Sequence, residues 1–304
     1  MKTSKLSVFL VCLFFILCFF FSQESVLLSK NMCTTFLKNI FPTLFPFFIC
    51  TYLLLETNIL EIIAYLFQYI SIPLFKLSGY SCLIILVSII TGTPFAASLI
   101  TSLFLKKKLS KKETFILSSS LVYPSWSFMY VTIGSFIGFK NAKIISLSVY
   151  LSSLLLLIIL AILILEKPKY IKYKTLKENL KTSFNNFHFA KTLKKTIINS
   201  FTNLVVILGT MIYFSLPLTL INKIFKKGIL LQSLIEFSSA SFAIINSTIS
   251  NKIPYLLLTY SFGSFSLLLQ HFSMLEETKF KFKYLITGRV FVVSYSFIFL
   301  SLLT

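Results

Sequence analysis

Acidic residues are scarce in this 304-residue chain: aspartate is absent, nine glutamates supply every side-chain carboxylate, and charged residues of both signs make up 12%. Glycine and proline number eight each, histidine two, and tryptophan (Trp126) and arginine (Arg289) one each. So little charge does not suit the surface of a soluble domain of this length. Nor do the sparse polar residues assemble a reactive centre. There are no paired carboxylates for acid–base work, no nucleophile–histidine constellation and no glycine loop to cradle phosphate. The five cysteines (Cys12, Cys18, Cys33, Cys50, Cys82) have neither metal-ligand nor redox spacing, and four lie in apolar runs. These absences speak against an enzyme, a metal centre or a cofactor.

What the chain has instead is apolar bulk. Hydrophobic residues make up 56%, with 35 Phe and 14 Tyr, and the mean hydropathy is +0.88. Such runs imply an all-α polytopic membrane protein, multi-pass in the cell membrane with the lipid bilayer as its first partner. The net charge of +20 would suggest nucleic acid in a soluble protein. Here the lysines sit in short links between apolar runs, where they orient the chain by the positive-inside rule, and no nucleic-acid partner is expected.

Residues 1–35 read as a transmembrane helix (Leu6–Phe21) and a hydrophilic outer link (Ser22–Thr35). Residues 36–165 begin with a span bent at its entry by Pro42 and Pro46. An interfacial segment, Glu56–Lys76, follows. Next comes an apolar run, Tyr80–Leu105, interrupted by Thr91-Gly92-Thr93-Pro94. Backbone groups freed at membrane depth survive only inside protein or beside a wet cavity. Five lysines in Lys106–Lys112 follow the run, so it should leave and return on the cytoplasmic side as a re-entrant hairpin. A crossing broken at Tyr123-Pro124-Ser125-Trp126 and a plain, lipid-facing span (Ala142–Leu165) complete this half.

Residues 166–195 read as a Lys-rich cytoplasmic loop, and residues 196–304 repeat the plan. A span (Thr196–Leu220) leads to an apolar segment with a polar tip, Glu236–Ser241. Then come a crossing broken at Ser261-Phe262-Gly263-Ser264 and a plain last span, Tyr284–Leu303. Two re-entrant hairpins entering from opposite faces, with two broken transmembrane helices, make the inverted repeat of secondary transporters, here with seven crossings. That topology leaves Lys223, Lys226 and Lys227 on the outer face, against the charge rule.

The four breaks supply the candidate site. Helix-end amides and hydroxyls at Gly92, Thr93 and Pro94, at Tyr123, Pro124, Ser125 and Trp126, at Ser238 and Ser239, and at Gly263 and Ser264 suit a small polar solute. The same hydroxyls also serve helix packing. Tyr123 and Trp126 can stack on an aromatic solute or anchor the fold. Glu236, the one acid inside an expected membrane segment, either couples H⁺ or Na⁺ or caps a helix end. Gln270 and His271, two turns past Gly263, are accessory candidates.

Phe41-Pro42-Thr43-Leu44-Phe45-Pro46-Phe47-Phe48-Ile49 resembles the FPSLFPFFI segment of the YlbJ-type sporulation integral membrane proteins. Thr91–Pro94 sits where that family has a Gly-Tyr-Pro turn, and Tyr123–Trp126 takes the place of its Asn- and Ser-rich stretch before a Pro. Glu236-Phe237-Ser238 resembles its Glu-x-Thr tip, and Ser261–Gln270 its Phe-Gly-Gly-x-Ser-x-x-x-Gln segment. Order and spacing agree over about residues 36–303. Departures are Ser118, Ser119 and Ser120 in place of Asn, Ala240 or Ser241 for a Gly, and Ser264 for the second Gly.

The resemblance implies a gate, or nucleoside-recognition, domain related to concentrative nucleoside transporters. It implies transport of dipicolinic acid across the outer forespore membrane during sporulation. With no basic residue expected in the site, that dianion would be compensated by helix dipoles, protons or a cation. The alternatives are a nucleoside-type solute:cation symporter and a non-transporting scaffold for spore-envelope assembly.

Overall fold

A chain in hydrocarbon must satisfy its own backbone, and long apolar runs do so as helices. In the computed structural model, which describes residues 5–57, 59–93, 95–166, 168, 170–185, 187–224 and 228–304, all regular structure among the described residues is helical. The first half runs α1 (Lys5–Phe20), α2 (Ser22–Thr35), α3 (Phe41–Glu56), α4 (Leu60–Phe75), α5 (Gly79–Thr91), α6 (Phe95–Leu105), α7 (Lys111–Ser120), α8 (Gly134–Ile137) and α9 (Phe139–Ile164). The second runs α10 (Tyr173–Asn185), α11 (Phe189–Ile224), α12 (Ile229–Ile235), α13 (Phe237–Asn246), α14 (Ile253–Phe262), α15 (Ser264–Met274) and α16 (Phe282–Leu303). Ser22–Glu56, Phe139–Ile164, Phe189–Leu218, Ile253–Met274 and Phe282–Leu303 are each long and apolar enough to cross a membrane. The α4–α5 pair, bent by 101°, makes a sixth span if counted as one. Seven crossings are not reached among the described residues: α1 has 16 residues, and the run Glu113–Phe139 is divided by its break.

Three expectations are corrected. Ser22–Thr35 is no irregular link but helix α2, continued through a π-helical turn (Phe36–Ile40) into α3. The wide turn precedes Pro42, and the Thr43 hydroxyl takes up the carbonyls of Asn39 (3.1 Å) and Ile40 (2.9 Å), which settles the proline entry. The span Ala142–Leu165 does not face lipid throughout: 44% of the most apolar part of α9 is buried. Ser146, Ser152 and Ser153 lie with Ala142, Val149 and Ala161 on the buried side. Small side chains let α16 and α7 approach closely, and the Ser146 hydroxyl is satisfied within α9 by Ala142 O at 2.7 Å. The segment 166–195 is not a plain loop, since it contains α10 and the start of α11.

Glu56–Lys76 contains the helix α4. That helix lies at 101° to α5, and its polar side chains are used for ties. Gln68 holds the Ile171 backbone, accepting from its N–H (2.6 Å) and donating to its carbonyl (3.2 Å). Glu61 pairs with Lys108 and accepts from Asn179 Nδ2 (2.9 Å). Glu113 joins two helix starts: it completes a capping box with Ser110 on α7, and its Oε1 accepts from Ser78 N–H (3.1 Å) and Ser81 Oγ–H (2.9 Å) at the N-cap and first turn of α5.

The α4–α5 corner needs a glycine, because a Cβ on Gly79 would lie 1.8 Å from Ala64 O. Gly79→Ala should therefore cost about 1–3 kcal/mol of unfolding free energy, as overpacking does. Gly209→Ala, where nothing lies within 4 Å, should cost nothing. Thermal unfolding of the two variants in detergent checks this.

Candidate functional site

Each apolar helix stops at its break for a local reason. α5 ends because Gly92 takes φ +68° and ψ −169°, open in practice to glycine alone. A Cβ there would also lie 2.4 Å from Ser125 N, so the backbones of the first two breaks touch. Thr93 stitches them together: its N–H donates to Tyr123 O (3.0 Å) and its hydroxyl to Leu121 O (3.3 Å). Pro94, Lys226 and Lys227 lie outside the described residues.

α7 ends beside the same break, and its last carbonyls need partners that water would otherwise supply. Contrary to the expectation of a site with no basic residue, Arg289 meets the carbonyls of Ser119 and Ser120 and that of Val122 just beyond. It is fully buried in α16. Its Nη1 donates to Val122 O (2.7 Å), and its Nη2 to Ser119 O (2.9 Å) and Ser120 O (2.8 Å). Next to it, His271 Nε2 lies 3.0 Å from Ser118 O; a carbonyl only accepts, so Nε2 carries the hydrogen. A cation at a helix C-terminus is favoured by the dipole, and diverging carbonyls suit arginine's planar fork better than an ammonium. Gly288 makes room, since a Cβ there would lie 2.8 Å from Ser119 O. The sequence carried the signal in its one arginine, set inside an apolar span.

In the second half, Glu236 leaves helical geometry (φ −140°, ψ 119°) between α12 and α13. Its carboxylate accepts from the amides of Ser238 (3.1 Å) and Ser239 (2.6 Å) and from the Ser238 hydroxyl (2.8 Å). That is helix capping, the structural role weighed against ion coupling. Gly263 and Ser264 are left-handed in succession (φ 85° and 48°), and the Ser264 hydroxyl donates to Ser233 O (2.5 Å), one turn before Glu236. A Cβ on Gly263 would lie 3.5 Å from Val122 Cγ1. Val122 O is an Arg289 acceptor, so the breaks of the two halves meet there.

The aromatic candidates are packed on protein. Tyr123 is buried, its hydroxyl 2.7 Å from Ser88 Oγ and its ring edge-on to Tyr150 at 4.8 Å. Trp126 stacks on Tyr130 (4.8 Å) and Tyr150 (6.1 Å), and Tyr150 OH donates to Pro124 O (3.2 Å). Between the halves is a cavity of about 20 Å³, lined by Thr91, Thr93, Pro124, Ser125, Phe237 and Gln270. It holds about one water. Gln270 donates to Thr210 Oγ1 while its Oε1 has no partner, and the Ser239 hydroxyl and Arg289 Nε are likewise buried without one. No cluster of metal-ligating side chains occurs among the described residues.

Helices of this length, with polar side chains at depth turned to helix ends, define an all-α polytopic membrane protein. Compared with known proteins, the chain is similar to the sporulation integral membrane protein YlbJ of Bacillus subtilis (strain 168). The two are 22% identical over 343 residues, taking in the whole of this chain and 84% of that protein. No family model and no solved structure matches.

Removing the guanidinium should open the first-half break. Arg289→Leu leaves Ser119 O and Val122 O without donors, Ser120 O keeping the Val122 N–H, and should cost about 2 kcal/mol or more, at 1–3 per unsatisfied group. Arg289→Lys, reaching fewer of them, should fall between. Denaturant unfolding in mixed micelles gives the ranking, and a fully stable Leu variant would contradict the carbonyl clamp.

Proposed function

We propose that this protein is a membrane transporter acting in sporulation, and that it carries a small anion, dipicolinate, across the outer forespore membrane. The observation that supports this most is Arg289. It is a buried cation at the meeting point of the breaks, held by carbonyls and in no ion pair among the described residues. A buried charge at membrane depth is costly and marks solute or ion pathways by default. Its excess positive potential favours an anion over a neutral nucleoside. Arg289 Nε–H is a buried donor without a partner, and Gln270 and Ser125 line the cavity between the breaks. Similarity to a sporulation integral membrane protein gives the cellular setting, and the dipicolinate reading comes from the resemblance of the break motifs. A solute larger than water needs the cavity to widen, which moves one half against the other. Driving force comes from the solute's own gradient or from protons through Glu236.

The same tight cavity favours a second reading, a non-transporting membrane scaffold for spore-envelope assembly. Flux into proteoliposomes separates the two. Dipicolinate uptake that uridine does not compete is expected; uridine uptake without dipicolinate uptake indicates a nucleoside carrier, and neither flux indicates the scaffold.

Glu236→Gln tests coupling. If Glu236 carries a proton, the variant's flux loses its dependence on an imposed pH gradient. If it only caps α13, coupling persists and stability falls by about 1 kcal/mol.

A further inference from the structure

At the other end of α7 from the break lies a cavity of about 400 Å³, between α6, α7 and the connection from α15 to α16. Its floor is a cluster of three half-buried rings: Phe115, Phe280 and Tyr284, with centroids 5.0, 5.9 and 6.1 Å apart. Around it stand the exposed Lys111, Lys279 and Lys281, against one carboxylate, Glu277. None of the three ammonium groups enters an ion pair among the described residues. Lys279 is held at φ 56° as it closes the short turn Glu276–Thr278, so the rim has a fixed backbone. The lysine run Lys106–Lys112 leads into the same pocket, which puts it on the cytoplasmic face by the positive-inside rule.

We propose that this pocket holds the headgroup of an anionic phospholipid. The phosphate sits among the three lysines, and the glycerol and first methylenes lie on the ring cluster. Two features single out a lipid. Aromatic rings at a helix end belong to headgroup depth, where an apolar body and a wet rim meet. Unpaired lysines between transmembrane helices on the cytoplasmic side attract anionic lipid, whereas a zwitterionic headgroup gains no net attraction. The site also has a structural consequence. It touches the first turns of α7 and α16, the two helices that Arg289 joins about 10 Å deeper along α16. The lipid fastens at the surface what the guanidinium fastens at depth.

Native mass spectrometry of the full-length protein, released from micelles doped with phosphatidylglycerol or phosphatidylcholine, tests this. Wild type should retain phosphatidylglycerol at least about tenfold better, given the attraction each lysine supplies. The K111Q/K279Q/K281Q variant should lose that preference, while K140Q/K143Q, altered at exposed lysines on α9, should keep it. Phosphatidylglycerol should also raise the unfolding temperature of wild type more than that of the triple variant, a readout independent of lipid retention. Equal retention of the two lipids, or a triple variant that keeps the preference, overturns the proposal. So does competition by free glycerol phosphate at the lipid's own concentration, which would mark a site for soluble anions.

Discussion

An unpaired backbone amide or carbonyl in hydrocarbon costs several kcal/mol, and this constraint governs where the protein places its few polar side chains. Arg289 and His271 cover the carbonyls at the end of α7. Glu236 covers the amides at the start of α13, and Glu113 serves the starts of both α5 and α7. Thr93 ties one break to another through backbone and hydroxyl together. At the breaks and the start of α5 and α7, charge thus follows helix polarity: cation on carbonyls, anions on amides, whereas buried Glu61 pairs with Lys108. The two deepest charges, Arg289 and Glu236, need no ion pair with each other because each already faces the favourable end of a helix dipole.

Satisfaction is incomplete where the two halves face each other. The carboxamide oxygen of Gln270, the hydroxyl of Ser239 and Nε of Arg289 are buried without partners. Of these, Gln270 lines the cavity between the halves, and an unpaired polar atom there costs more than an apolar atom of the same shape.

How much of this the sequence disclosed depended on what each signal measures. Helix breakers act locally, so Gly92, the Tyr123–Trp126 stretch, Glu236 and Gly263 were legible as interruptions, and each marks one in the structure. Contacts between breaks depend on tertiary packing, so the touching of Gly92 and Ser125 had no sequence signature. α9 misled because hydropathy cannot separate a lipid-facing stripe from a packed one. Its serines at 146, 152 and 153 were the overlooked sign, small residues where helices press together. Ser22–Thr35 misled for the opposite reason, a polar segment kept helical by continuity with α3. Arg289 was visible as the one arginine, but a final span that is otherwise plain concealed it. The opposed orientation of the two halves remains a reading of charge and spacing.

The Arg289 clamp also bears on the order in which the molecule is completed. The carbonyls of Ser119 and Ser120 leave the ribosome about 170 residues before the guanidinium that covers them. Until α16 is made, Ser119 O and Val122 O lack their native donor, while Ser120 O has the Val122 N–H. Membrane insertion therefore closes from the C-terminal end, with the last helix acting as the bolt. A chain released early, with every first-half residue in place, would still carry an open break.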